Sequence, residues 1–507
     1  MSVNRNNQKI SNQSSGGGNK KQGLAPNATN FFKANFTGRQ YSTDSGDGKN
    51  RFKLVCMNQL GGIGRGRSQF GASADGLNCP LAELGYKLDP TFGPNKNGIH
   101  ILDYQFILSD FRAVSLSIDD LNNIILSGSN NEKKLFIAKI LSADGSLDQT
   151  FGKDMSGATI PIVSVEKGIG EYGYALYGQS VFDSSYNILQ ISPRDDGSFN
   201  YIRYKSDDGY LDLDFSNNGI AGFASIDIND SSGILNAIAF DKSNNKTILC
   251  GNDSSGSVLA RFNMDGLIDM SFGINQDGIV KQDLSNNYSI FDMNLDSQNR
   301  IVLLGGEDGS NGIYVARYST SGVLDQTWGG IGGGGISGEV YCNDRSGMVV
   351  NVGSNMIAFD NNDNILILNI SLSYTPVVFS SHVTKLDANS GTPQQIATIT
   401  PPNVMNMNTN VVSRGICFDK SNNKFLLNTF RDSGDGEILT TSIRRYTSAG
   451  NLDTTFCPSC TPSGVLSYIS EPTDKLVPYD INIDGKRRII VCGSTNLYPY
   501  VARFVKA

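Results

Sequence analysis

Seven basic residues recur along the 507-residue chain in one short phrase, each a cation followed by an aromatic or aliphatic side chain. They are Lys139 in "FIAKI", Arg203 in "NYIRY", Arg261 in "VLARF", Arg317 in "IYVARY", Lys385 in "HVTKL", Arg445 in "SIRRY" and Arg503 in "YVARF". Such a set has two chemical uses. Gathered into a ring, it would grip an anion or a nucleic acid backbone. Matched one by one with carboxylates, it would hold geometry, at about 0–1 kcal/mol per exposed pair. The spacing favours the second use. The Asp of an "LD" phrase lies eight or nine residues downstream, across a Gly turn, in the pairs Lys139–Asp148, Arg203–Asp212, Arg261–Asp269, Arg317–Asp325 and Arg445–Asp453. Arg503 has no such residue after it and is assigned to Asp89, the first "LD" Asp of the chain.

Other candidate chemistry is thinner. "CPSC" at Cys457–Cys460 has the spacing of two zinc ligands, but there is no second CxxC and the chain has two histidines, His100 and His382. A loop, or a local disulfide, fits it better. "DNNDN" at Asp360 lacks the later Gly and the distant Glu of a calcium loop, and reads as a hairpin turn. "GGIGRGR" at Gly61–Arg67 is followed by no βαβ pattern, so a dinucleotide site is not expected. No Ser-His-Asp or Cys-His set can be assembled, and carboxylate pairs carry no information in so Asp-rich a chain. No catalytic, cofactor or metal residue is therefore assigned.

The elements that would position these residues are repeats. A turn phrase appears as "GYKLDPTFG" at Gly85, "GSLDQTFG" at Gly145, "GYLDLDFS" at Gly209, "GLIDMSFG" at Gly266, "GVLDQTWG" at Gly322 and "GNLDTTFC" at Gly450. A worn copy, "GTPQQIA" at Gly391, has lost the Leu and the Asp. A second landmark is an Asp, a few polar residues and an apolar run, starting at Asp119, Asp183, Asp241, Asp296, Asp360, Asp419 and Asp484. The Asp/Asn/Gly clusters suit turns with positive φ, and the β-branched runs around them suit hairpins. With the cation phrase and a strand after each turn phrase, four strands fit into each unit of about sixty residues. No segment with helical periodicity intervenes. The pattern predicts a seven-bladed β-propeller spanning 85–507, preceded by a lead-in at 69–84. The recurring aromatics Phe92, Phe151, Phe215, Phe272, Trp328 and Phe456 are expected between blades.

These units resemble the delta-60 repeat, a family of "GxLDxTFG" units; the resemblance covers roughly Gly85–Ala507 and is degraded at Gly391. It implies a propeller and says little about activity. A propeller must close, or its first and last blades present open edges. The first turn phrase is preceded by "CPLAELG" rather than by a cation phrase, while a cation phrase stands at the C-terminus. Tyr500–Val505 is therefore expected to pair beside the first unit.

Charge is unevenly distributed. Residues 1–68 hold eleven Lys and Arg against Asp44 and Asp47, a balance of +9 within a chain whose net charge is −7, so the remainder carries −16. Residues 1–68 form a low-complexity basic arm, expected to be mostly disordered. Through Lys20, Lys21, Lys33, Arg39, Arg65 and Arg67 the arm would meet a nucleic acid, an anionic surface or a protein partner. No run approaches a membrane span, no conventional secretory signal is seen, and eight cysteines are sparse for a disulfide-built protein. An intracellular or virion-associated setting is expected, the latter suggested by Asn- and Ile-rich usage. The favoured reading is a non-catalytic binding or structural scaffold, with protein partners. The rival is a hydrolase-type propeller enzyme with its site at the central channel mouth, which inward-facing carboxylates would favour.

Overall fold

The computed structural model describes residues 42–43, 51–52 and 85–507, the last stretch interrupted at 104–110, 131–133, 153–161, 166–178, 194–198, 216–221, 227–233, 254–255, 284–287, 308–312, 331–336, 343–347, 350–354, 375–376, 400–409, 433–437, 461 and 469–474. Two compact units are separated, Met1–Ala82 and Glu83–Ala507. In the first, Ser42–Thr43 pairs antiparallel with Arg51–Phe52. Lys20, Lys21, Lys33, Arg39, Arg65 and Arg67 lie outside the described residues.

The second unit is an all-β propeller of seven blades, each an antiparallel meander. Blade 1 is Arg112–Ile118, Ile124–Ser129, Leu135–Ile140 and Ile162–Val165; blade 2 is Ser180–Phe182, Ile188–Pro193, Phe199–Tyr204 and Phe223–Ile226. Blade 3 runs Ile234–Asp241, Lys246–Asp253, Gly256–Phe262 and Ile279–Asp283, and blade 4 Tyr288–Leu295, Ile301–Glu307, Ile313–Tyr318 and Glu339–Cys342. Blade 5 has a divided first strand, Met348–Val349 and Ile357–Phe359, then Ile365–Tyr374, Val377–Leu386 and Pro393–Ile399. Blade 6 is Asn410–Asp419, Lys424–Asp432, Ile438–Thr447 and Val465–Tyr468. Blade 7 takes Val477–Ile483, Ile489–Ser494 and Pro499–Lys506 from the C-terminal end, and its outer edge from Tyr86–Leu88 and Ile99–Ile101. The ring is thus closed by strands from both ends of the unit. Tyr500 faces Ile101 and Val501 faces His100, so the C-terminal strand is paired on both sides at the seam.

First strands of successive blades touch one another around the whole ring, including Val477–Ile483 against Arg112–Ile118, and so line the axis. Apolar side chains fill the spaces between blades; one such cluster joins Phe111, Leu126 and Phe136 of blade 1 to Ile490, Cys492 and Val501 of blade 7. Because every blade is a meander, the first hairpin turn and the "LD" turn share one end of the ring. The other two connections share the opposite end. Among the described residues no helix is long and apolar enough to cross a membrane.

Candidate functional site

At the end that carries the turn phrases, each cation stands on the third strand of its blade, and the five arginines direct their guanidinium groups at the "LD" turn. Arg203, Arg261, Arg317, Arg445 and Arg503 donate from Nε to Oδ2 of Asp212, Asp269, Asp325, Asp453 and Asp89, at 2.8, 2.8, 2.9, 2.6 and 2.8 Å. Lys139 Nζ lies 3.6 Å from Asp148 Oδ2. The other carboxylate oxygen caps the turn itself. Oδ1 of Asp89, Asp148, Asp325 and Asp453 accepts both the N–H and the hydroxyl of the Thr two residues on. That side-chain-to-backbone bond is why Asp and Thr recur at this spacing.

The same cation also reaches the next blade. Arg317 Nη1 donates to Ala388 O at 2.5 Å and Arg503 Nη1 to Ser142 O at 2.5 Å, with Arg203 to Met264 O and Arg261 to Thr320 O equivalent. Beneath it lies the aromatic of the turn, with guanidinium carbons 4.2 Å from the Phe92 ring centre, 4.4 Å from Phe215, 4.6 Å from Phe272, 4.9 Å from Trp328 and 4.8 Å from Phe456. Those distances are in cation–π range. The aromatics are 0–1 % exposed. The first glycine of the next turn phrase closes over the ring. A Cβ on Gly322, whose φ is +80°, would stand 2.7 Å from Phe272.

Sequence spacing missed three features here. Lys385, whose own unit has lost its "LD" Asp, turns back to Asp360 at 2.7 Å. Lys246 and Lys424 join Asp269 and Asp453 from second strands, at 3.1 and 2.6 Å. Both lysines lie beside the hairpin turns at Asp241 and Asp419, a position where the sequence alone gives no cue to the carboxylate opposite. Cys457 and Cys460 form a disulfide, one of the two readings left open for "CPSC". The hairpin-turn Asp residues cap their own turns, as Asp360 Oδ1 accepts from Asn362 N and Asn364 N at 2.9 and 3.0 Å.

Turn-to-turn contacts run right round this end. Gly485 N donates to Asn122 Oδ1 at 2.7 Å, Asn299 Nδ2 to Ser243 Oγ at 2.9 Å and Asn361 Nδ2 to Lys420 O at 2.9 Å. Ser297 donates to Asp363, Arg487 sits 3.5 Å from Asp419, Lys242 lies over Tyr186, and Tyr186 bonds Asp120. A cleft of about 460 Å³ opens between the turns of blades 7 and 1, lined in part by Asp119, Asp120, Asp484 and Lys486.

The axis holds chemistry of another kind. Asp292 of blade 4 and Asp480 of blade 7 are buried on first strands. Asp292 accepts from Met293 N at 2.9 Å and from Met356 N of blade 5 at 2.6 Å. Asp480 accepts from Ile481 N at 2.7 Å, from Leu116 N of blade 1 at 2.8 Å and from Asn355 Nδ2 at 3.0 Å. Burial outweighs these donors and pushes the Asp292 carboxyl up to about 7 and that of Asp480 up to about 6. Chemically, the two are neutralisable acceptors that lace neighbouring first strands together.

Among the described residues, the first strands of five blades also carry one extra residue each. The register shifts enclose Val114, Asn236, Phe291, Arg414 and Tyr479. Each stands five residues before its landmark Asp, and Asn355 stands at the same place in blade 5. A bulge of this kind re-aims a side chain. Unlike the turn phrase, this position changes its chemistry from blade to blade.

A family model described as a beta-propeller domain of unknown function (DUF5122) matches residues 242–272. No curated protein matches the chain. Among solved structures, an ulvan lyase of polysaccharide lyase family PL25 is 8% identical, with a TM-score of 0.48 over 83% of this chain and 94% of that one. The PQQ-bound aldose sugar dehydrogenase of Streptomyces coelicolor is 11% identical, with a TM-score of 0.39 over 65% and 91%. The Nup133 beta-propeller domain of Vanderwaltozyma polyspora is 9% identical, with a TM-score of 0.35 over 80% and 100%. Those activities belong to those proteins.

Proposed function

We propose that this chain is a delta-60-type propeller acting as a non-catalytic binding scaffold, intracellular or virion-associated, tethered by its basic arm to a polyanion or a protein partner. One observation carries the reading. The recurring charged residues are engaged at blade junctions, as with Arg317 between Asp325 and Ala388, which makes the turn-phrase end a self-locked frame. Recognition is then left to the opposite end, to the axis and to the arm. The arm's +9 balance concentrates positive charge in one segment, while the remainder, at −16, repels the same ligand.

The test is fluorescence anisotropy of labelled DNA with the full chain and with a variant in which Lys20, Lys21, Lys33, Arg39, Arg65 and Arg67 are changed to Gln. Binding by the native chain that weakens steeply with salt, through release of condensed counterions, and is lost in the variant is the expected result. Equal affinity of the two proteins would overturn the tether.

A second reading, a hydrolase-type enzyme working at the channel mouth, is favoured by Asp292 and Asp480, whose raised carboxyls suit proton transfer near neutral pH. It requires a solvent-accessible carboxylate oxygen, whereas these oxygens accept from backbone amides and, at Asp480, also from the Asn355 side chain. Turnover of any glycoside or ester substrate that disappears in Asp292→Asn or Asp480→Asn, with folding retained, would replace the scaffold reading.

A further inference from the structure

The bulged residue of blade 6, Arg414, differs from the arginines of the turn phrases in having no acid to meet. Its guanidinium carbon lies 4.7 Å from the Tyr479 ring centre and 5.1 Å from that of Phe430, so the group stands over two aromatic rings. Its backbone N–H donates to Asn428 Oδ1 at 3.1 Å, which fixes the bulge. Nε is buried with no hydrogen-bond partner among the described residues, and no ion pair is formed there. Tyr479 is itself the bulged residue of blade 7, so two adjacent first strands re-aim their side chains to build one feature. Asp480, next to Tyr479 in sequence, has its oxygens occupied by Leu116 N, Ile481 N and Asn355.

An arginine with unfilled donors is costly to keep half-buried unless something fills them. The aromatic rings attract its charge, but no hydrogen bond from the guanidinium to either is formed. Planar N–H edges in a fixed fork match a carboxylate, phosphate or sulfate. We infer that the axial side of blades 6 and 7 binds a small oxyanion, with Arg414 as the hydrogen-bonding group and Tyr479 and Phe430 as the rings that hold it in place. The inference rests on reading the ring as a binding platform and supplies the ligand class for it. The non-repeating set Val114, Asn236, Phe291, Asn355, Arg414 and Tyr479 would shape the rest of the ligand, since no two neighbours offer the same chemistry.

The test is isothermal titration calorimetry of the full chain with inorganic phosphate and, separately, with acetate, ionic strength being held constant with sodium chloride. One saturable site per chain is expected for at least one of the two probes. Arg414→Gln should abolish it, and Arg414→Lys, which keeps the charge but not the fork, should weaken it roughly tenfold or more. If Arg414→Gln does not fold, the Lys variant decides. No saturable heat with either probe, or a site unchanged in the variant that decides, overturns the inference. The arm variant with Gln at its six basic positions should leave this isotherm intact, so failure of the tether and failure of the Arg414 site are read in separate experiments.

Discussion

Phe272 shows how much of the turn phrase is one machine. Its ring has the Arg261 guanidinium on one side and Gly322 of the next unit on the other, and it is fully buried. Phe272→Ala opens a cavity at a blade junction and should cost about 3–5 kcal/mol in urea or thermal unfolding. Gly322→Ala attacks the same contact from the other side and should cost at least about 1 kcal/mol, because φ is +80° and the new methyl meets the ring. In a double-mutant cycle the two losses should not add, since the smaller ring leaves room for the methyl; strict additivity would show that the residues do not act on each other. This much was legible in the sequence, because Asp, Thr, Phe and Gly must recur together for the contact to exist. The Lys385–Asp360 pair was not, since it arises where the pattern is broken. Asp292 and Asp480 were not legible either. The equivalent positions in other units are Ser115, Ala237, Met356 and Gly415, so no recurrence marked them.

Among elements, the strand Pro499–Lys506 carries the most. It pairs with Ile489–Ser494 on one side and with Tyr86–Leu88 and Ile99–Ile101 on the other, so it links the two ends of the propeller unit within blade 7. It also brings Arg503 to Asp89 and buries Tyr500 and Phe504. Removing Tyr500–Ala507 should therefore convert one cooperative unfolding transition into a broad one at lower temperature, measured by circular dichroism and calorimetry. A truncated chain that melts as sharply and as high as the full one would show that closure contributes nothing. The displaced cation phrase made this strand readable in advance. The bulges of the first strands were not readable, because one extra residue leaves the run of polar and apolar residues looking like any short strand. The division of the outer edge of blade 7 into two strands is not readable for a similar reason, since the end of the turn phrase at Gly93 and the residues up to Gly98 look like one loop.

For the whole ring, two sets of carboxylates pull stability in opposite directions with pH. Burial raises Asp292 to about 7 and Asp480 to about 6, from an ordinary value of 3.8. The folded ring therefore keeps protons that the unfolded chain has already released. Stability from these two groups is complete below about pH 4 and is lost as pH rises through 6 and 7, by up to about 1.4 kcal/mol per pH unit for each group. At Asp269 and Asp453 burial also opposes the charge, but hydrogen bonds from Ser271 and Lys246, and from Lys424 and Thr455, outweigh it and hold both at about 2. Their contribution is present above 3.8 and is lost as pH falls towards 2. The two limbs meet near the unfolded value and place the stability maximum at about pH 4. Thermal melts from pH 3 to 9 at constant ionic strength should show it, with a falling limb on the alkaline side. Asp292→Asn and Asp480→Asn remove the titrating groups and should each flatten that alkaline limb, whatever they do to the absolute melting temperature. Asp453→Asn should leave the alkaline limb unchanged and flatten the acid one. A native chain most stable at pH 8, or axial variants that keep the native alkaline slope, would show that the axial carboxylates are ionised throughout and that their amide donors, not burial, govern them.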